Sequence, residues 1–294
     1  MHLRPSNLKP KHSIEFEAIG THWFIQAESG ISNTQEHQVY GALDEIDRTW
    51  SRFRDDSLVG IMSNRAGEYH LSDADKRLIG WYRQLYDATS GLVTPLIGQT
   101  LADAGYDASY RLTPKAHIPK TPQWEKIIEL TDGGILIKQP ALIDVGAAGK
   151  GFAIDAVAAL FENTSYMIDA GGDIRTRGKM HSIGLEHPLR SGELIGTVQV
   201  EGKSICGSAS NRRQWGEWHH IINPQTSRPV RDVVATWAIA NTAMKADGIA
   251  SALFFSAPEQ LRQLGDFTYV VMYEDEKVYH TNTQDIQLFT DKVT

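Results

Sequence analysis

Apolar positions along the chain recur in two rhythms, every second residue in some segments and every third or fourth in others. Residues 13–27 alternate (Ile14, Phe16, Ala18, then Trp23, Phe24 and Ile25), which predicts a strand interrupted at Gly20. Residues 34–50 place Val39, Leu43, Ile46 and Trp50 at helical spacing. Residues 73–90 repeat that spacing with Leu78, Trp81, Tyr82, Leu85 and Tyr86, with Ser72 as N-cap and Gly91 as the terminating glycine. A polar connector with three prolines follows at 114–122 and predicts a surface crossing between two halves. Beyond it, strands are predicted at 127–130, 135–138 and 141–145, with Asp132-Gly133 as a hairpin signal, and a helix over 150–161. More strands are predicted at 166–170, 183–186, 194–200, 219–222, 233–241, 267–273 and 278–280, with a helix over 244–256. Many antiparallel-type strands and a few long helices define an α+β fold. Residues 1–12, with two prolines and several basic residues, precede the pattern and are predicted to form a flexible arm.

Composition narrows the class. The 294 residues are 41% hydrophobic, enough to bury a sizeable core. A formal net charge of −7 argues against broad electrostatic nucleic-acid binding. The single cysteine, Cys206, excludes an intrachain disulfide and a multi-cysteine zinc site and predicts a free buried thiol. No apolar run approaches the roughly 18–20 residues of a membrane span, so no membrane insertion is expected. The N-terminal residues have no signal-like apolar run, so the expected location is cytoplasmic.

Four segments carry candidate chemistry. Ile143-Asp144-Val145-Gly146-Ala147-Ala148-Gly149-Lys150-Gly151 runs from a carboxylate through a glycine-rich turn into a helix with a lysine in its first turn. Amides at a helix N-terminus beside a lysine suit a phosphate, yet a plain strand-to-helix turn explains the segment equally well. It is not a P-loop, because the first glycine would fall on Asp144 and Gly151 replaces the Ser/Thr. In the second segment, Asp247 and Ser251 are four apart on a helix and share a face. They offer two hard oxygens of the kind Mg²⁺ takes, although a dipole-favoured charge and a small packing residue would look the same. The third, His219-His220-Ile221-Ile222-Asn223-Pro224, places two histidines on opposite sides of a strand end, where one could be a general base or a structural residue. The fourth, Ala170-Gly171-Gly172-Asp173, marks a tight turn or a close approach to a ligand.

Joined in order with Ala18-Ile19-Gly20-Thr21, Ser51-Arg52-Phe53, Ser57, Asn64 and Ser90-Gly91-Leu92-Val93-Thr94-Pro95, these segments resemble the ApbE family, the FAD:protein FMN transferases, over most of residues 14–275. The Asp-x-Gly-Ala-x-x-Lys-Gly-x-x-x-Asp and His-Ile-Ile-x-Pro segments are its most specific parts. The resemblance implies one α+β domain over 13–294, built of two T-fold-like halves with antiparallel sheets flanked by helices, with the crossing near 112–123. It implies an enzyme that uses Mg²⁺ to move the FMN moiety of FAD onto a Thr or Ser hydroxyl of an acceptor flavoprotein, releasing AMP. Two alternatives share the site: an FAD pyrophosphatase with water as acceptor, and a flavin-binding protein without catalysis.

Carried over residue by residue, the resemblance gives Asp144 and Lys150 as flavin-nucleotide contacts. Ala147, through its carbonyl, Asp247 and Ser251 fall on metal ligands. Ile19, Phe53, the Leu92, Val93, Thr94 loop and His220 fall on nucleotide contacts, and His220 also on the group that deprotonates the acceptor hydroxyl. The chain departs from the family at Ser251 (usually Thr), Thr94 and Asn223 (usually Asp), Ile19 (Met) and Phe53 (Tyr).

Overall fold

The computed structural model describes residues 11–289. Eight strands form one antiparallel sheet in which spatial order follows chain order: β1 (Lys11–Ala18), β2 (Thr21–Ile31), β3 (Tyr166–Ala170), β4 (Asp173–Arg177), β5 (Ser204–Ala209), β6 (Val233–Ala240), β7 (Thr268–Tyr273) and β8 (Val278–His280). Four principal helices accompany it: α1 (Asn33–Trp50), α2 (Asp73–Ala88), α3 (Gly149–Ala158) and α4 (Ala243–Ala252). This is the expected α+β class, with antiparallel strands flanked by helices.

The first alternating segment is a hairpin rather than one interrupted strand. Ile19 and Gly20 both have positive φ, 51° and 69°, as a two-residue reversal between twisted strands requires. Lys11 and His12, expected in the arm, belong to β1; residues 1–10 of that arm lie outside the described residues. Ser32 and Gln35 close a capping box at the start of α1, and Ser72 caps α2 as predicted.

Side chains alternate across the sheet, so its central strands serve cores on both faces. Ile25, Ile168 and Cys206 pack under α1, α3 and α4, while Ile174, Ile205 and Ile239 pack against a three-stranded sheet of Ile286–Leu288, Leu194–Val200 and His181–Glu186. A third core joins α2 and α4 to a small sheet of Gly67–His70, Gly134–Ile137 and Ile128–Thr131, whose hairpin turns at Asp132-Gly133 as predicted. Residues 141–145 are not the predicted strand. Their amides bond singly to distant loops, Ala141 to Met62 O (3.1 Å) and Asp144 to Pro95 O (2.7 Å), because Asp144 and its neighbours are spent on the site. The proline-bearing connector runs against the turn at 223–227, with Thr121 N donating to Pro224 O at 3.1 Å and Ser227 Oγ to Pro119 O at 3.0 Å.

Candidate functional site

Two helix N-termini meet at the end of the sheet. A Cβ placed on Gly151 would lie 2.2 Å from Ala243 O, so only glycine lets α3 approach the start of α4 this closely. Asp155, one turn further along α3, caps the other helix. Its carboxylate accepts from Ala243 N (2.8 Å) and Met244 N (3.0 Å) and pairs with Arg175. Thr242 adds its side chain as the N-cap of α4.

This junction fixes the oxygens. Asp247, buried on α4, accepts from Gly151 N at 2.8 Å. One turn later Ser251 Oγ lies 3.2 Å from Ala147 O. Ala147 is itself held by the buried Tyr82 hydroxyl of α2, which accepts from Ala147 N (3.0 Å) and Ala148 N (3.1 Å). Burial, with the Asp144 and Asp247 charges, pushes the Tyr82 phenol well above its ordinary value, so it stays neutral. Burial and then the Asp173 charge push the Asp247 carboxyl strongly upward, against the pull of Lys150 and the Gly151 amide.

Lys150, in the first turn of α3, pairs with Asp173 at 2.8 Å. Asp173 is 1% exposed and also accepts from Gly207 N at 2.9 Å. Burial alone would lower the Lys150 ammonium; the Asp173 and Asp247 charges outweigh it and raise its pKa. The Ile19 turn stands alongside, since a Cβ on Gly171 would lie 2.1 Å from Thr21 Oγ1.

On the other flank, Asp144 accepts from Arg52 Nε at 2.5 Å and from Gly146 N at 2.7 Å. Arg52, buried, also donates to Tyr106 O at 2.8 Å, and its guanidinium carbon lies 4.2 Å from the Phe53 ring centre and 4.8 Å from that of Tyr106. Tyr106 stacks on Trp215 at 5.7 Å. The loop of Leu92, Val93 and Thr94 reaches Asp144 through Pro95 O. Val93 and Thr94 are buried there and Leu92 is half-buried.

The strand expected over 219–222 is broken at His220, which lies in a bend between the short strands Trp218–His219 and Ile222–Asn223. His219 is structural: Nε2 lies 2.7 Å from Val230 O and Nδ1 accepts from Ile221 N at 3.2 Å. Among the described residues His220 Nδ1 has no hydrogen-bond partner. Burial, then Arg213 and His219, push the His220 imidazole down to about 3, with Asp144 pulling the other way.

The structure thus brings Asp144, Ala147, Lys150, Asp247 and Ser251 together, with Phe53 and the 92–94 loop tied to Asp144 and His220 within its electrostatic reach. Two departures from the family pattern keep a capping oxygen. Thr94 accepts from Leu96 N (3.2 Å), and Asn223 Oδ1 accepts from Gln225 N (2.9 Å) and Thr226 N (3.2 Å), turns that an amide or hydroxyl closes as a carboxylate would. The roles of Arg52, Tyr82, Tyr106 and Trp215 went unread in the sequence. Tyr82 reads there only as part of a helical apolar stripe. Asp173 carried a signal, the diglycine before it, but not its partner.

A hydroxyl, a backbone carbonyl and one buried carboxylate match the donor set of Mg²⁺, which usually keeps waters and borrows phosphate oxygens. Among the described residues no group of three or more His, Cys, Asp or Glu gathers, so a cation here would complete its shell from elsewhere.

Fold and site together define an α+β protein in which hard oxygen donors and a lysine gather where two helix N-termini adjoin. The chain belongs to the ApbE family, whose model matches residues 19–270. A relative from Klebsiella pneumoniae (strain 342), named FAD:protein FMN transferase, is 25% identical over 296 residues, spanning 90% of this chain and 85% of its own. Another protein of that name, from Vibrio cholerae, is 24% identical over 78% of this chain and 75% of its own. Among solved structures, the ApbE protein of Thermotoga maritima superposes with a TM-score of 0.75 at 22% identity, over 92% of this chain and 96% of that one. No helix among the described residues is long and apolar enough to cross a membrane.

Proposed function

We propose that this chain transfers the FMN moiety of FAD to a Thr or Ser hydroxyl of an acceptor flavoprotein, with Mg²⁺, releasing AMP. The observation that carries the reading is the junction of α3 and α4, where Lys150 and the oxygens of Asp247, Ser251 and Ala147 stand beside a helix N-terminus. Membership of the ApbE family and the relatives' names support it.

The chemistry is a displacement at phosphorus. The acceptor oxygen bonds to the FMN phosphorus, the P–O bond of the diphosphate breaks, and AMP departs with the electron pair. Asp247, Ser251 and the Ala147 carbonyl would hold Mg²⁺, which when bound neutralises charge on the diphosphate. Lys150 would bind the same phosphates, at a position preset by Asp173. His220, neutral at neutral pH because burial lowers its imidazole, would take the hydroxyl proton on a ring nitrogen. An anionic substrate nearby would raise its weak basicity, since its low value comes from burial and from Arg213. Asp144, clamped by Arg52, would orient the nucleotide from the opposite flank.

The test is FAD turnover with Mg²⁺, measured as AMP release with and without an acceptor domain. AMP formed only with acceptor, together with covalent flavin on it, is expected. AMP and free FMN without acceptor would make the protein a pyrophosphatase, and FAD binding without AMP in either case would leave a flavin-binding protein.

A further inference from the structure

The Phe53 ring already has a guanidinium and a parallel ring as neighbours. The Arg52 guanidinium carbon lies 4.2 Å from its centre, and the Tyr110 ring is stacked on it at 5.6 Å with the planes 10° apart. Inserting a third ring would require about 7 Å between the flanking planes, two van der Waals contacts of about 3.5 Å. Arg52 cannot yield, because it is bonded to Asp144 and to Tyr106 O.

Tyr110 is also fixed, at its backbone. The Asp107 carboxylate accepts from Ser109 N (3.2 Å) and Arg111 N (3.1 Å) and pairs with the Arg111 side chain, while Tyr110 N donates to Asp107 O at 3.0 Å. Leu112 N ties the end of the loop to Gly105 O at 2.8 Å. Tyr110 and Leu112 hold φ of 50° and 53°, left-handed values that residues with a Cβ keep only where their surroundings enforce them. The Tyr106 ring meets Tyr110 edge-on at 5.6 Å. This ordered loop presents a tyrosine that is 56% exposed, a large ring left facing water at the outer end of the Arg52–Phe53–Tyr110 pile.

We propose that Tyr110 is the residue on which a planar heteroaromatic ring of the nucleotide stacks, adding one layer to the pile, and that Phe53 supports it from behind. The inference rests on the flavin-nucleotide reading and adds a binding residue to it. Adenine and isoalloxazine share the required chemistry, a flat π-face, and binding of ADP against FMN tells them apart.

Binding of FAD, ADP and FMN to the full chain, measured by calorimetry and by flavin fluorescence, tests the inference without turnover. Tyr110→Ala and Tyr110→Leu should each weaken FAD binding about tenfold, the size of one lost base–aromatic stack. Tyr110→Phe, which keeps the π-face, should bind within about twofold of wild type. The loss should recur with only one of the two halves, ADP or FMN, identifying the ring. Unchanged or tighter FAD binding by Tyr110→Ala would overturn the inference, tighter binding meaning that the ring swings out of the ligand's way. Leu at 110 keeps the apolar bulk, so a folded variant remains should Ala disturb the loop. If the wild-type chain binds neither FAD nor its halves, the flavin-nucleotide reading falls and takes this inference with it. Wild-type binding that is indifferent to every Tyr110 variant removes this inference alone.

Discussion

The oxygen cluster around Asp247 and the ring pile around Phe53 are joined by a short turn, from Asp144 to Ala147, yet they are held in opposite ways. In the cluster, each donor is set by a hydrogen bond: Asp247 by Gly151 N, Ser251 against Ala147 O, and Ala147 by the Tyr82 hydroxyl. In the pile, Arg52 alone is bonded at both ends, and Phe53, Tyr106 and Tyr110 meet through ring planes and edges. Hydrogen bonds specify positions to a few tenths of an ångström. Stacked faces slide and exchange with little loss, because any aromatic ring supplies a π-face. Charge handling at a diphosphate needs the first kind of control and ring recognition only the second. The substitutions against the family pattern agree: Tyr to Phe at 53 keeps the ring, and Thr to Ser at 251 keeps the oxygen.

The comparison can be broken most severely at the cluster. Asp247→Asn should lower the rate of AMP release on the order of a thousandfold, since it removes the only acidic metal ligand proposed and several kcal/mol of charge stabilisation with it. A fall of less than about tenfold would sink the assignment. His220→Ala should cost about a hundredfold in rate while the FAD dissociation constant stays within about twofold, a split that separates proton transfer from binding.

The same histidine gives a pH prediction with a definite sign. Its folded value of about 3 lies below the ordinary 6.5, so as pH falls the unfolded chain takes up this proton first. Wild type should lose stability between pH 6.5 and about 3 and gain nothing from this ring above it. His220→Gln should flatten that part of the urea midpoint against pH profile.

Smaller effects sharpen the contrast. Ser251→Ala should cost about tenfold in AMP release, recoverable in part by raising Mg²⁺, whereas Ser251→Thr should stay within about twofold. Lys150→Met leaves the buried Asp173 without its cation and should destabilise the fold by about 2 kcal/mol in urea unfolding, below the full value of a wholly buried pair because Lys150 is half-buried. A loss from the Lys150→Met/Asp173→Asn pair equal to the sum of the losses from Lys150→Met and Asp173→Asn alone would show that the two residues do not interact.

Local features of the fold were legible because their causes are local. The period of apolar residues located α1 and α2, Ser72 capped α2, which ends at Ala88 with Thr89 as C-cap rather than running on to Gly91, Asp132-Gly133 gave its hairpin, and strands 166–170, 194–200 and 278–280 lie where alternation placed them. The order and spacing of Asp144 through Asp155, with Asp247 and Ser251 one helical turn apart, named the candidate site as well, since a motif is a statement about neighbours in the chain. Short segments failed where tertiary contacts override local pattern, as at 141–145, whose amides serve two distant loops, and at Ile19-Gly20, whose positive φ values turn one apparent strand into two.

What only the folded chain decided is which residue answers which. Arg52 clamps Asp144 from 92 positions away, Tyr82 holds Ala147 from 65, and Asp155 caps a helix that begins 88 residues later. Lys150 finds Asp173 across a helix and a strand, and Tyr110 covers Phe53 from a loop with no periodicity of its own. Such pairings leave no repeat in the sequence, because a buried charge or an orphaned amide is satisfied by whichever group the packing of sheet and helices brings within hydrogen-bond reach.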